Sequence, residues 1–171
     1  MRQIQAMEDL NFKSETKKAK INTSALGAAA VSLVETEIQL YTGFQPAKPS
    51  YDIGIDLRAI SAGGKHVVNL QVKSSSRRSF GIQRRWSKIP HFLIVYVWNF
   101  RGRSDASVFV MSYAEAYGII KTTAPTWLKS KSWRMRGGFT SNAPSELMRS
   151  AIEGFRATPE RWNKALLTAT I

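Results

Sequence analysis

The chain has 171 residues, 43% of them hydrophobic, enough for one domain with a sizeable core and too little for two of ordinary size. Its 25 Lys and Arg against 12 Asp and Glu give a formal net charge of +13, a field that favours a polyanionic partner, nucleic acid first. There is no cysteine, which excludes disulfides and thiolate metal sites and leaves oxygen or imidazole to hold any metal.

Residues 1–23 are polar and charged and read as a flexible or loosely helical arm; residues 24–171 read as one domain. Ser24 is placed to cap a helix from Ala25 to Tyr41, where Leu26, Ala30, Leu33, Val34, Ile38 and Tyr41 recur at helical spacing and Gly43 lies beyond the end. Pro46 and Pro49 break the pattern. Ile53, Ile55, Leu57 and Ala59 then alternate with Gly54, Asp56 and Arg58 as in a half-buried strand. Gly63-Gly64 marks a turn, and His66 to Lys73 forms a second strand with Val68, Leu70 and Val72 on one side and Asn69, Gln71 and Lys73 on the other.

After a Ser- and Arg-rich link, Phe80 to Lys88 is either a short helix or an ordered loop closed by Pro90. Phe92 to Trp98 is a continuous apolar run expected as a central buried strand, with Ala106 to Met111 as its hairpin neighbour. Ser112 with Glu115 makes a capping box opening a helix from Tyr113 to Ile120. Lys121 to Thr140 is basic and aromatic without clear periodicity. Asn142 is placed to cap a helix through Phe155, and Thr158-Pro159-Glu160 starts the last helix. This order fits an α/β or α+β domain around a mixed central sheet flanked by helices.

The charge is uneven. From Leu57 to Ser104 there is no acidic residue, while Arg58, Lys65, Lys73, Arg77, Arg78, Arg84, Arg85, Lys88, Arg101 and Arg103 all fall there. Such a run repels itself until an anion neutralises it. His66 and His91, 25 residues apart, have none of the short spacings of a zinc site. The longest apolar run is far below the roughly 20 residues of a membrane span, and no apolar signal core opens the chain, so a cytoplasmic protein with no membrane partner is expected.

The hairpin carries the chemistry. A tight turn brings Asp56 on its first strand and Gln71 with Lys73 on its second to one face, gathering a carboxylate, an amide and an ammonium. Side-chain and backbone oxygens suit Mg²⁺, which keeps several waters and takes phosphate oxygens as further ligands. An ammonium beside them positions a water or offsets charge on a phosphate.

The segments Tyr51-Asp-Ile-Gly-Ile-Asp-Leu57 and Leu70-Gln-Val-Lys-Ser-Ser75 resemble the core motif of the PD-(D/E)XK nucleases, in the Holliday-junction-resolvase-like branch. The resemblance covers about Ser24 to Ser76 and implies a restriction-endonuclease-like αβββαβ core. It implies a Mg²⁺- or Mn²⁺-dependent DNA endonuclease, with Asp56, Gln71 and the Val72 carbonyl as metal ligands, Lys73 as the catalytic lysine, and a homodimer. Gln71 stands where the family usually has Glu or Asp. Val31 stands where its first helix often carries Glu, and Glu35, one turn further on, is the substitute. Arg77, Arg78, Arg84, Arg85 and Lys88 are the candidate DNA contacts, with Trp86 placed for a sugar or splayed base and Trp127 to Phe139 extending the track. Ordinary core or rim packing is the competing role for Trp86, Trp127 and Trp133. Two other readings remain: a nuclease-fold DNA-binding protein with weakened catalysis, and an RNA-binding basic protein.

Overall fold

A computed structural model describes residues 22–50, 54–100 and 106–170. The expected arm lies almost wholly outside the described residues, as do Tyr51 to Ile53 at the start of the first motif, and Arg101 and Arg103.

Helix α1 spans Thr23–Tyr41 and buries Ala30, Val34 and Ile38, one stripe at four-residue spacing. Its cap is Asn22 rather than Ser24: the Asn22 side chain accepts from the Ser24 and Ala25 N–H groups at 3.1 and 3.2 Å, which places Ser24 inside the first turn. Strand β1, Phe44–Ala47, follows where the prolines predicted a break. Pro46 is tolerated because β1 is the edge of the sheet, where a missing N–H faces no partner strand.

Strands β2 (Leu57–Ser61) and β3 (Val67–Ser74) form the expected antiparallel hairpin. Gly63 and Gly64 turn it with φ of 85° and 72°, a region that favours glycine. Strand β5 (Phe92–Trp98) runs parallel to β3 and is buried along its whole length; β6 (Ser107–Ser112) pairs antiparallel beyond it. The five-stranded mixed sheet therefore has the order β1-β2-β3-β5-β6.

The segment from Phe80 to Lys88 holds a short helix in its second half only. It forms β4 (Phe80–Gln83) and then a 3-10 helix, Arg84–Lys88. β4 finds its partner in the stretch that has no periodicity: α3 (Lys131–Arg136) leads into β7 (Gly138–Ser141), and β4 and β7 make a separate two-stranded sheet. A pairing between segments more than 50 residues apart leaves no local signal in either.

Helix α2 (Tyr113–Thr123) opens with the capping box of Ser112 and Glu115, and α5 (Pro159–Ala169) opens on Thr158. Helix α4 (Glu146–Glu153) begins later than expected, because Ser145 and not Asn142 supplies the cap.

Each face of the large sheet carries its own core. On one side α1 and α5 cover Leu57, Ala59, Val68, Leu70 and Val72 with Leu93, Val95 and Val97. On the other, Ile94, Tyr96 and Trp98 meet α2, α4 and the small sheet. The small sheet is also tied by polar contacts: Tyr96 donates its hydroxyl to the Gly81 carbonyl at 2.7 Å and Trp98 its indole N–H to the Ser79 carbonyl at 2.6 Å. Among the described residues no helix is long and apolar enough to cross a membrane.

Candidate active site

Strand alternation decides which side chains meet. Leu57 and Ala59 of β2, like Val68, Leu70 and Val72 of β3, lie under α1, so Asp56, Arg58, Asn69, Gln71 and Lys73 project from the opposite face. The register pairs Leu57 with Leu70 and Arg58 with Asn69, which sets Asp56 across from Gln71. The Asp56 N–H extends the ladder by donating to the Leu70 carbonyl at 2.9 Å. Asp56, Gln71 and Lys73 thus share one face, where β2 begins and the parallel pair β3 and β5 nears its carboxyl end, the usual location of ligand sites in such sheets.

The contacts within the set are specific. Gln71, buried, donates its side-chain amide to Asp56 Oδ2, and the Val72 N–H donates to the same oxygen at 2.7 Å. The Val72 N–H thus helps to hold the carboxylate, in the same residue whose carbonyl the resemblance implies as a metal ligand. Asp56 is half-buried, and two donors fix the position of its carboxylate.

Lys73 shares the face but leans away. Its Nζ lies 5.4 Å from the centre of the Trp86 ring, and among the described residues no carboxylate comes within ion-pair distance of it. Lys73 and Trp86 line a cavity of about 200 Å³ with Gly81, Tyr96, Phe139 and Thr140. Trp86 is only 2% exposed, so its ring forms a wall and offers no open face for stacking a base.

Glu35 is not brought to Asp56 by any contact. It pairs with Lys48 at 3.4 Å, just past the end of β1. Glu37, also on α1, is partly buried and accepts the Trp162 indole N–H at 2.8 Å.

The basic residues divide into two groups. Arg77 and Arg78 are exposed and, with Asn99, Asn142 and Arg149, border a cavity of about 320 Å³. Arg84, Arg85 and Lys88 of the 3-10 helix meet Arg134 and Arg136 of α3 around a cavity of about 280 Å³ whose lining contains no acid. Arg84 is the tie of this second group: its guanidinium donates to the Trp133 and Arg134 carbonyls and lies 5.4 Å from the Trp133 ring centre. The pairing of β4 with β7 therefore merges two basic stretches that the sequence separates. Trp133 is buried, whereas Trp127 is 48% exposed, with its ring edge-on to Phe139.

For a hard cation the face offers the Asp56 carboxylate with the Gln71 amide beside it, while the second amide of the face, Asn69, donates to the Pro90 carbonyl at 3.1 Å. Among the described residues there is no cluster of three or more His, Cys, Asp or Glu placed to hold a metal. Mg²⁺ needs less than that, since one or two protein oxygens, waters and substrate phosphate suffice. An amide presents oxygen or nitrogen by a half-turn about its last bond, so the donor types fit the ion. No protein-family model matches the chain, and no curated protein matches it.

Proposed function

We propose that the protein is a metal-dependent endonuclease that hydrolyses DNA phosphodiester bonds, with a restriction-endonuclease-like core. The observation that carries this reading is the contact of Asp56 with Gln71 on the face of the hairpin that also carries Lys73. Support for that core comes from the succession α1, β1, β2, β3 and the parallel β5, with β4 and a five-residue 3-10 helix standing where the αβββαβ order has a helix.

In this reading Asp56, Gln71 and the Val72 carbonyl would hold Mg²⁺ or Mn²⁺, with the Val72 N–H and the strand ladder fixing Asp56. The ion supplies Lewis-acid stabilisation of the phosphate and a more acidic water. Lys73 orients that water and offsets charge on the phosphate. Trp86, which its ammonium faces, restricts how far Lys73 swings. Glu35 is paired with Lys48 and is given no contact with the ion in this reading. The cations of the 3-10 helix and α3, with Arg77 and Arg78, bind backbone phosphates. A homodimer acting in the cytoplasm completes the proposal, since one site cuts one strand.

Incubation with supercoiled plasmid, branched DNA and linear duplex in Mg²⁺ or Mn²⁺ tests it. The parent chain nicks, and Asp56→Ala or Lys73→Ala loses at least about 100-fold in rate, the order expected for losing one electrostatic or general-base contribution. Variants that cut as fast as the parent sink the assignment. Competition by RNA duplex that exceeds competition by DNA favours an RNA-binding protein instead.

A second reading has its own observation. Gln71 already satisfies Asp56 as a donor, so the pair is complete without a cation. A DNA-binding protein that retains a nuclease scaffold without hydrolysis predicts salt-dependent DNA binding that is indifferent to Mn²⁺.

A further inference from the structure

Arg58 lies two residues along β2 from Asp56, on the same face and paired with Asn69 of β3. Its Nε is sealed from solvent and has no hydrogen-bond partner. The terminal guanidinium nitrogens are not sealed, and among the described residues no acceptor or carboxylate is paired with them. The exposed terminal nitrogens, and not the sealed Nε, are the donors that an acceptor arriving from outside can reach.

The sequence around it narrows the acceptor. From Leu57 to Ser104 the chain has no acid, so the hairpin's nearest carboxylate to Arg58 is Asp56, and among the described residues the two form no ion pair. A guanidinium fork matches the oxygens of a phosphate two at a time, which an ammonium does not. Alternate residues of a strand sit roughly 6.6 Å apart, so one phosphodiester or its immediate neighbour spans Asp56 and Arg58. Lys73 lies on the next strand of the same face, which places a cation on β2 and another on β3, with the Asp56–Gln71 pair between them along the strands.

We infer that Arg58 is a substrate-binding residue that grips a non-bridging oxygen of the DNA phosphodiester lying at Asp56. This rests on the reading of the face as a phosphodiester site. It assigns a contact to a residue on which neither the motif resemblance nor the basic cluster draws.

The test separates binding, cutting and folding. Binding of a 20-base-pair DNA duplex to the full chain is measured in EDTA across a salt series, so that the result does not depend on hydrolysis. Arg58→Gln weakens binding about tenfold and lowers the slope of log K against log salt by about 0.9, the signature of one lost phosphate contact. Arg58→Lys keeps the slope, and its cleavage rate in Mn²⁺ falls at least about tenfold with the loss of the fork. Arg58→Gln leaves the melting temperature level or raises it, because the guanidinium has no protein partner to lose. Unchanged affinity and slope in Arg58→Gln overturn the inference. So does a lower melting temperature without a change in slope, absent DNA binding at low salt, or an RNA duplex bound tenfold tighter than DNA. Failure of the nuclease reading is seen separately, when Asp56→Ala cuts like the parent while the Arg58 slope effect persists.

Discussion

Gln71 donates its side-chain amide to Asp56 Oδ2, the oxygen that also receives the Val72 N–H at 2.7 Å. The amide therefore occupies the place where a second carboxylate would make a more strongly charged metal site. In its present form the pair is self-satisfied and carries one negative charge. The cost of a neutral partner is a weaker pull on any cation; the gain is that the site stays assembled without one.

Gln71→Glu sets two carboxylates against each other in a half-buried place. Above about pH 5 and without metal, this variant melts below the parent, since like charges at contact resist joint ionisation. Addition of Mn²⁺ raises its melting temperature more than that of the parent, and metal-dependent nicking rises. Equal Mn²⁺ shifts in the two proteins contradict a cation site between Asp56 and residue 71.

Glu37 and Trp162 give a prediction with a defined sign. Burial raises the Glu37 carboxyl above its ordinary value, and the Trp162 hydrogen bond only partly offsets this. A raised folded-state value means the folded chain holds the proton more tightly than the unfolded chain. The stability this gives is fully present below the unfolded value and is lost as pH rises through the folded one. Glu37→Gln keeps an acceptor for the indole and removes the charge. It melts higher than the parent at pH 7, and the difference vanishes near pH 4; a gain independent of pH refutes the desolvation account.

Much of the domain was legible because its signals are local. The stripe of Ala30, Val34 and Ile38, the Gly63-Gly64 turn, the run Phe92 to Trp98 and the capping box of Ser112 and Glu115 each lie within a few residues of chain. The shared face of Asp56, Gln71 and Lys73 followed from alternation and one short turn. What stayed hidden depends on distant pairing. β4 looks like neither strand nor helix until β7 arrives beside it, and Arg84 looks like a free cation until the Trp133 carbonyl takes its guanidinium. Pro46 reads as a breaker unless one knows that β1 is an edge. The unanswered Nε of Arg58 is a property of packing and has no sequence signal.

Glu115 and Arg161 join α2 to α5. Arg161 donates to Glu115 at 2.7 Å and to the Val110 carbonyl at 3.0 Å, and the Ser112 N–H donates to Glu115 at 2.7 Å. Burial alone would raise the Glu115 carboxyl, but the bonds from Arg161 and Ser112 outweigh it and the net displacement is downward. Stability from this group is present above the unfolded value and is lost as pH falls through the depressed folded one. Arg161→Ala removes a guanidinium that is 13% exposed and unpairs a partly exposed carboxylate, a loss of about 2 kcal/mol, below that of a fully buried pair. Chemical denaturation at pH 7 and pH 4 checks both statements: the Arg161→Ala deficit shrinks at the lower pH, and a deficit equal at both refutes the assignment.

Gly81 shows why the small sheet matters to the basic cluster. A Cβ built there would lie 2.6 Å from the Phe139 carbonyl oxygen and 3.0 Å from Thr140 Oγ1, and the first of these is backbone that has no rotamer to yield. Gly81→Ala therefore pries β4 from β7 at the Gly81–Thr140 pair, at a cost on the order of 1–3 kcal/mol for an overpacked contact. With that pairing weakened, the 3-10 helix is held against α3 chiefly by Arg84, and Arg85 and Lys88 shift relative to Arg134 and Arg136. Hydrogen exchange then quickens at residues 80–83 and 138–141 while β3 and β5 stay protected, because the large sheet keeps its own ladder. Affinity for duplex DNA falls, and the Asp56–Gln71 contact, carried wholly by β3 and the start of β2, survives. If exchange at β4 and β7 is unchanged, the steric account is wrong. If exchange quickens and DNA affinity holds, the cluster around the 3-10 helix does not carry the phosphate contacts.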